Sequence, residues 1–130
     1  MVEENIPNFN LDGIELNAIV CSIYDGDTIT AIFPFPETKR NYKWKCRLSG
    51  IDTPEIKTKN EKEKCKGKEI RDILRSKILN KEVKLKCGKM DKYGRILVNI
   101  YYENICINDW LLENNYAQLY NGGTKKQWNF

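Results

Sequence analysis

Two stretches of the chain alternate charged and apolar residues with a period of two. Lys43, Lys45 and Arg47 interleave with Trp44, Cys46 and Leu48, and Glu82, Lys84 and Lys86 interleave with Val83, Leu85 and Cys87. Successive side chains of a β-strand point to opposite faces, so each stretch reads as a strand with one apolar and one wet face. Between them Ile70, Ile73, Leu74 and Ile78 recur at helical spacing, the stripe of an amphipathic helix packed on a sheet.

Other segments extend this frame. About Ile14 to Ile23 reads as a first strand and Thr28 to Phe33 as a second, with a hairpin-like turn or bulge at Asp25-Gly26. Pro34 to Asn41 contains two prolines, which remove ladder donors, and reads as an exposed loop. Asn60 can cap the helix, with Glu63 three residues on as a capping box would use it, and the helix is expected to end near Leu79-Asn80. Gly88 to Gly94 reads as a turn region, followed by a fifth strand through Ile96, Val98 and Ile100 to about Tyr102. A short second helix, about Asn108 to Asn114, turns Trp110, Leu111 and Leu112 inward. Five strands, a helix between the third and fourth and a helix after the fifth predict an α+β fold, a five-stranded Greek-key OB-type β-barrel with two helices. Residues 1–130 read as a single domain with its core at about 14–121, a polar N-terminal arm and a basic tail opened by Gly122-Gly123.

Composition narrows the chemistry. There is no histidine, which excludes imidazole as base, acid or metal ligand. Any hydrolysis must use carboxylates, a metal and arginine. Five cysteines are scattered with no Cys-x-x-Cys pair, which favours structural thiols over zinc. A net charge of +4 permits a nucleic-acid partner without demanding one. No apolar run approaches the ~18 residues of a span, so no membrane role is expected. Met1 to Asn5 is acidic and lacks the basic start of a secretion signal, so an intracellular protein is expected.

The chemistry-bearing stretch is Arg47-Leu48-Ser49-Gly50-Ile51-Asp52-Thr53-Pro54-Glu55. Pro54 stiffens the corner and pushes Thr53 toward extended geometry. Asp52 and Glu55 offer oxygen ligands for a divalent cation or a base for water, and Arg47 offers a planar cation for phosphate. Asp25-Gly26-Asp27-Thr28 precedes this stretch and Asp91-Lys92-Tyr93-Gly94-Arg95 follows it. Taken singly, each is more often an ordinary turn or a solvated cation.

In this order and spacing the three segments, over about Ile14 to Leu119, resemble the staphylococcal nuclease (thermonuclease) family of OB-fold, calcium-dependent phosphodiesterases. The resemblance implies Ca2+ as cofactor, held by Asp27, Asp52 and the Thr53 carbonyl. It implies phosphate-binding roles for Arg47 and Arg95, and places Glu55 near the attacking water as base or positioner. Lys92 and Tyr93 match positions that touch the terminal phosphate of a nucleotide. Tyr120 lies near, but displaced from, the paired tyrosines of the family, and the loop Phe33–Lys43 is longer than in the bacterial enzyme. The expected activity is hydrolysis of DNA and RNA, preferably single-stranded, endo or exo, leaving 3′-phosphate ends, by a monomer. The rivals are a non-catalytic OB-type nucleic-acid-binding module and a protein-interaction barrel with a relic site.

Overall fold

The computed structural model describes residues 5–130. Its frame is five long strands: β1 (Glu15–Asp25), β2 (Thr28–Pro34), β3 (Asn41–Leu48), β5 (Glu82–Met90) and β6 (Ile96–Tyr102). Short pieces complete it: β4 (Ile51–Asp52), β7 (Ile105–Cys106) and β8 (Gln118–Leu119), with helices α1 (Glu61–Ile78) and α2 (Ile107–Glu113).

The sheet runs β3-β2-β1-β5-β6, and β3 also pairs β6, so the five strands close into a barrel. All the antiparallel neighbours are hairpin or crossover partners; the closing pair is parallel, with Cys46 opposite Ile96, Arg47 opposite Leu97 and Leu48 opposite Val98. Closure removes the exposed edges an open sheet would present. The barrel is filled by the apolar half of each alternating strand, including Val20, Ile29, Cys46, Leu48, Leu85, Val98 and Ile100, all buried. Ile70, Leu74 and Ile78 of α1 and Ile107 and Leu111 of α2 join the same core. Burial pushes the Cys46 and Cys87 thiols up to about 12 and about 11, so both sit as small apolar groups. No helix among the described residues is long and apolar enough to cross a membrane.

Several boundaries differ from the sequence expectation. Strands β2 and β3 reach Pro34 and Asn41, which pair with one another, leaving a connection of residues 35–40. Pro34 is tolerated because it ends the strand, where a missing donor removes no interior ladder bond. Strand β5 continues past Gly88 to Met90 through a register shift between Cys87 and Met90. The extra residue of this bulge lets the strand bend, and a Cβ on Gly88 would stand 3.3 Å from the Leu97 carbonyl oxygen. The turn is therefore confined to 91–94.

Half of the expected capping box forms. Asn60 Oδ1 accepts from the Glu63 amide at 3.1 Å, but Glu63 Oε2 accepts from the Glu55 amide at 2.8 Å instead of returning to the cap. In α2, Leu111 is buried whereas Trp110 and Leu112 are half-buried, and the inward polar residue is Asn108. Its side chain accepts from the Ile100 amide and donates to the Ser49 and Val98 carbonyls, tying β6 to the corner after β3.

Gly67 has a specific task in α1. A Cβ there would lie 2.8 Å from the Pro54 carbonyl oxygen and 3.0 Å from that of Glu55. The corner 53–55 rests on the helix where no side chain stands. Gly→Ala inside a helix ordinarily stabilises by ~1 kcal/mol. Here Gly67→Ala is expected to destabilise instead, by ~1–3 kcal/mol, because backbone must shift. Denaturant unfolding reads the sign directly, and a raised midpoint would show that the corner yields without cost.

Candidate active site

Strand pairing gathers the three motif segments at one end of the barrel. Thr28 of β2 is opposite Arg47 of β3, and Arg47 is opposite Leu97 of β6, two residues after Arg95. Asp27 sits in the two-residue turn between β1 and β2, and Asp52 in β4 pairs with Gln118 of β8. A Cβ on Gly26 would come within 2.7 Å of the Thr53 side chain, so the turn and the acidic corner meet only because that residue has none.

Arg47 is the centre. By parity it belongs to the wet face with Lys43 and Lys45, yet it is only 7% exposed while those two are exposed. Its Nη1 donates to the Leu48 and Ile51 carbonyls at 2.8 and 2.9 Å. Its Nη2 lies 3.5 Å from Asp27 Oδ2 and 3.9 Å from Asp52 Oδ1 and has no hydrogen-bond partner. The guanidinium stands 5.3 Å from the Tyr120 ring centroid. One half of the fork is thus tied to backbone and the other is free.

The acids are held as firmly. Asp27 Oδ2 accepts from the Thr53 amide and Oδ1 from the Thr28 hydroxyl, each at 3.1 Å. Gln118 Nε2 donates to Asp52 Oδ2 at 3.3 Å, while Asp52 Oδ1 is buried with no hydrogen-bond partner. Thr53 is buried and its hydroxyl is also unpartnered. Glu55, half-buried, is fixed by the bond from its amide to Glu63. Lys125 reaches in from the C-terminal segment, its Nζ 2.9 Å from Glu55 Oε1 and 3.1 Å from Asp52 Oδ1. Burial lowers the Lys125 value, but its bond to Glu55 and the nearby carboxylate of Asp52 outweigh that and hold it above the ordinary lysine range.

Arg95 is positioned by a residue outside the expected set. Its Nε donates to Asp91 Oδ2 at 2.7 Å, and Asp91 Oδ1 accepts from the Tyr93 and Arg95 amides. Burial raises the Asp91 value, and these bonds overcome it, leaving the carboxyl below its usual range. Arg47, Lys92, Tyr93, Arg95, Leu97 and Tyr120 line a cleft of about 490 Å³. Tyr120 is therefore in the site despite its shifted register, because its amide bonds the Gly50 carbonyl at 2.9 Å. A second groove, without a lining residue in common, begins at Ile56 and carries Tyr24, Lys57, Lys59, Lys64 and Lys68.

The donor set suits a hard divalent cation in one respect. Asp52 Oδ1 is a buried carboxylate oxygen without a hydrogen bond, facing a positive group in this state. Among the described residues no three His, Cys, Asp or Glu side chains form a cluster that could hold an ion. Asp27 and Asp52, the two acids of the expected ligand set, lie 3.5 and 3.9 Å from Arg47 Nη2.

The family profile described as staphylococcal nuclease homologue matches residues 45–129. The chain belongs to the staphylococcal nuclease family. It is 36% identical to a probable staphylococcal-like nuclease of Oryza sativa subsp. japonica, over 58% of this chain and 19% of that protein. It is 33% identical to an uncharacterized endonuclease of Haemophilus influenzae over 78% of this chain and 51% of the relative. With the thermonuclease of Staphylococcus hyicus the identity is 30%, over 76% of this chain and 56% of that one. The chain thus spans between a fifth and little over half of these curated relatives. Within the nuclease family frame, the observed barrel with two helices agrees with the expected OB-type α+β fold.

Asp25 carries a charge problem that the three-segment pattern does not reveal. It is 6% exposed, and desolvation, with Asp27 beside it, raises its value to about 7. Its Oδ1 accepts from the Asp27 amide at 3.1 Å. A carboxyl raised in the folded state binds more protons folded than unfolded, so its contribution is complete below about 4 and is lost as pH rises through about 7. In chelator, Asp25→Asn keeps the accepting oxygen and removes the ionisation. The variant should gain stability over wild type between pH 4 and 8, by ~1 kcal/mol or more at the upper end. Urea unfolding at pH 4, 6 and 8 checks it; a difference independent of pH would count against the buried ionisation.

Proposed function

We propose that this protein is a calcium-dependent nuclease that hydrolyses phosphodiester bonds of DNA and RNA, preferably single-stranded, leaving 3′-phosphate ends. The observation that carries the reading is Arg47 Nη2, buried, without a hydrogen-bond partner, between Asp27 and Asp52. A guanidinium arm without a hydrogen-bond partner, on a residue that lines a cleft, is a pre-organised receptor for an oxyanion. Arg95, braced by Asp91, lines the same cleft.

Asp27, Asp52 and the Thr53 carbonyl would hold the ion, which would supply charge neutralisation at the scissile phosphate and make a water more acidic. The protein's own side chains do the rest. Arg47 Nη2 and Arg95 clamp the phosphate oxygens. Glu55 orients a water and accepts its proton as the water oxygen bonds to phosphorus. The bond from phosphorus to the 5′ oxygen breaks in line, and the departing alkoxide takes a proton from solvent. Lys92, Tyr93 and Tyr120 receive the terminal phosphate and base in the cleft. The separate lysine groove, with the exposed ring of Tyr24, offers the strand further cationic and stacking contacts.

Three measurements test this. Plasmid and single-stranded RNA should be cut with calcium, poorly with magnesium, which demands strict octahedral geometry, and not in chelator; full activity in chelator would sink the metal assignment. Arg47→Lys should lose more than about tenfold in rate, because an ammonium cannot bond both the corner carbonyls and a phosphate as the fork does. Glu55→Gln should cut about 10²–10⁴-fold more slowly while binding single strands at fixed salt as wild type does. Wild type that binds and never cuts under any metal would favour the binding-module reading.

A further inference from the structure

The C-terminal segment does not hang free of the acids. Tyr120 is bonded to Gly50, and Gln118 Nε2 bridges Asp52 Oδ2 at 3.3 Å and the Lys126 carbonyl at 2.9 Å. That bridge folds residues 119–126 back over the corner. Lys125 then places its ammonium 2.9 Å from Glu55 Oε1, 3.1 Å from Asp52 Oδ1 and 5.6 Å from the Tyr120 ring centroid. Its two partners are the carboxylate proposed to handle water and one proposed to hold the ion.

Asp52 Oδ1 already faces two cations, Lys125 Nζ at 3.1 Å and Arg47 Nη2 at 3.9 Å. A divalent ion bound there would face an ammonium within about 3 Å, where like charges repel strongly even at high effective dielectric. The side chain of Lys125 is 41% exposed, so it can leave along the solvent side without disturbing the core. From this we propose that Lys125 is the resident cation of the carboxylate cluster, and that residues 119–126 form a strap that a divalent cation must displace to bind. The inference rests on the metal reading of Asp27 and Asp52. The strap neutralises the acids while the ion is absent and holds Glu55 Oε1 in an ion pair. It also lowers the apparent affinity for the ion by the fraction of molecules in which it is open.

The test uses the full chain, as wild type, Lys125→Met and Lys126→Met. Methionine keeps the aliphatic stem and removes the charge, and Lys126 joins the strap through its carbonyl. In chelator, amide exchange over residues 119–126 should be several-fold faster in Lys125→Met than in wild type, with Lys126→Met unchanged. Equal rates in all three chains would overturn the strap. In calorimetric titration with calcium alone, Lys125→Met should bind at least about fivefold more tightly than wild type. Wild-type exchange over the same segment should rise when calcium is added. Equal affinities with the segment still protected would overturn displacement. No heat from any chain at millimolar calcium would instead overturn the metal reading and displacement with it. Faster exchange in Lys125→Met without metal would then still establish the ammonium as the strap's anchor. The two failures are therefore distinguishable.

Discussion

A guanidinium charge is costly to take out of water unless other groups compensate it, and four groups surround that of Arg47. Two carbonyls of its own turn take Nη1, and two carboxylates from different segments face Nη2. Those segments are the β1–β2 turn and β4, so the charge pairs bind the ends of three strands together. Removing either acid would leave a buried cation short of compensation, and removing the arginine would leave two acids repelling one another. The neutral scaffolding of the site follows from this demand. Gly26 lets Thr53 approach the turn, Asp27 takes the Thr53 amide, and Gln118 takes the second oxygen of Asp52.

Strand periodicity made the barrel legible. Where residues alternate strictly, as in 43–48 and 82–87, burial follows the alternation. It fails at Arg47, since parity describes the strand and not what lies over it; Tyr120 and two acids arrive from elsewhere. The bulge at Gly88 and the paired Pro34 were hidden for a related reason. Glycine and proline mark possible breaks, but cross-strand neighbours decide whether a break occurs. The order of the three motifs pointed to the same end of the molecule for Asp27, Arg47, Asp52, Glu55 and Arg95. The pairing of β2 with β3 and of β3 with β6 brings them there.

What local pattern could not deliver is the set of residues that brace the others. Gly67 reads as a helix weakness until the Pro54 carbonyl is seen against it. Asp91 reads as a turn former, and only its bond to Arg95 reveals a brace. Asn108 sits near the start of a short helix, and nothing local shows that its side chain makes three bonds to backbone. Lys125 sits 70 residues from Glu55 in a basic tail with no periodicity. Each depends on a contact between distant segments. Glu63 is the mixed case: its capping spacing was visible, but its carboxylate goes to the Glu55 amide, whose position depends on how the corner rests on α1.

The closing seam of the barrel has a consequence for the order of events during synthesis. Cys46, Arg47 and Leu48 meet Ile96, Leu97 and Val98 across about fifty residues of chain, and Asp52 meets Gln118 across sixty-six. Contacts of such long sequence separation carry a large loop-closure cost and form late. A chain still emerging from the ribosome can fold the β1–β2–β3 meander and α1. Until β6 has cleared the exit tunnel, however, Arg47 has no parallel partner strand and Arg95 cannot be brought beside it. The acids, the arginines and the cleft therefore come together only after β6 and the segment carrying Gln118 have emerged. A nascent chain short of that point holds the parts of the site and not the site itself.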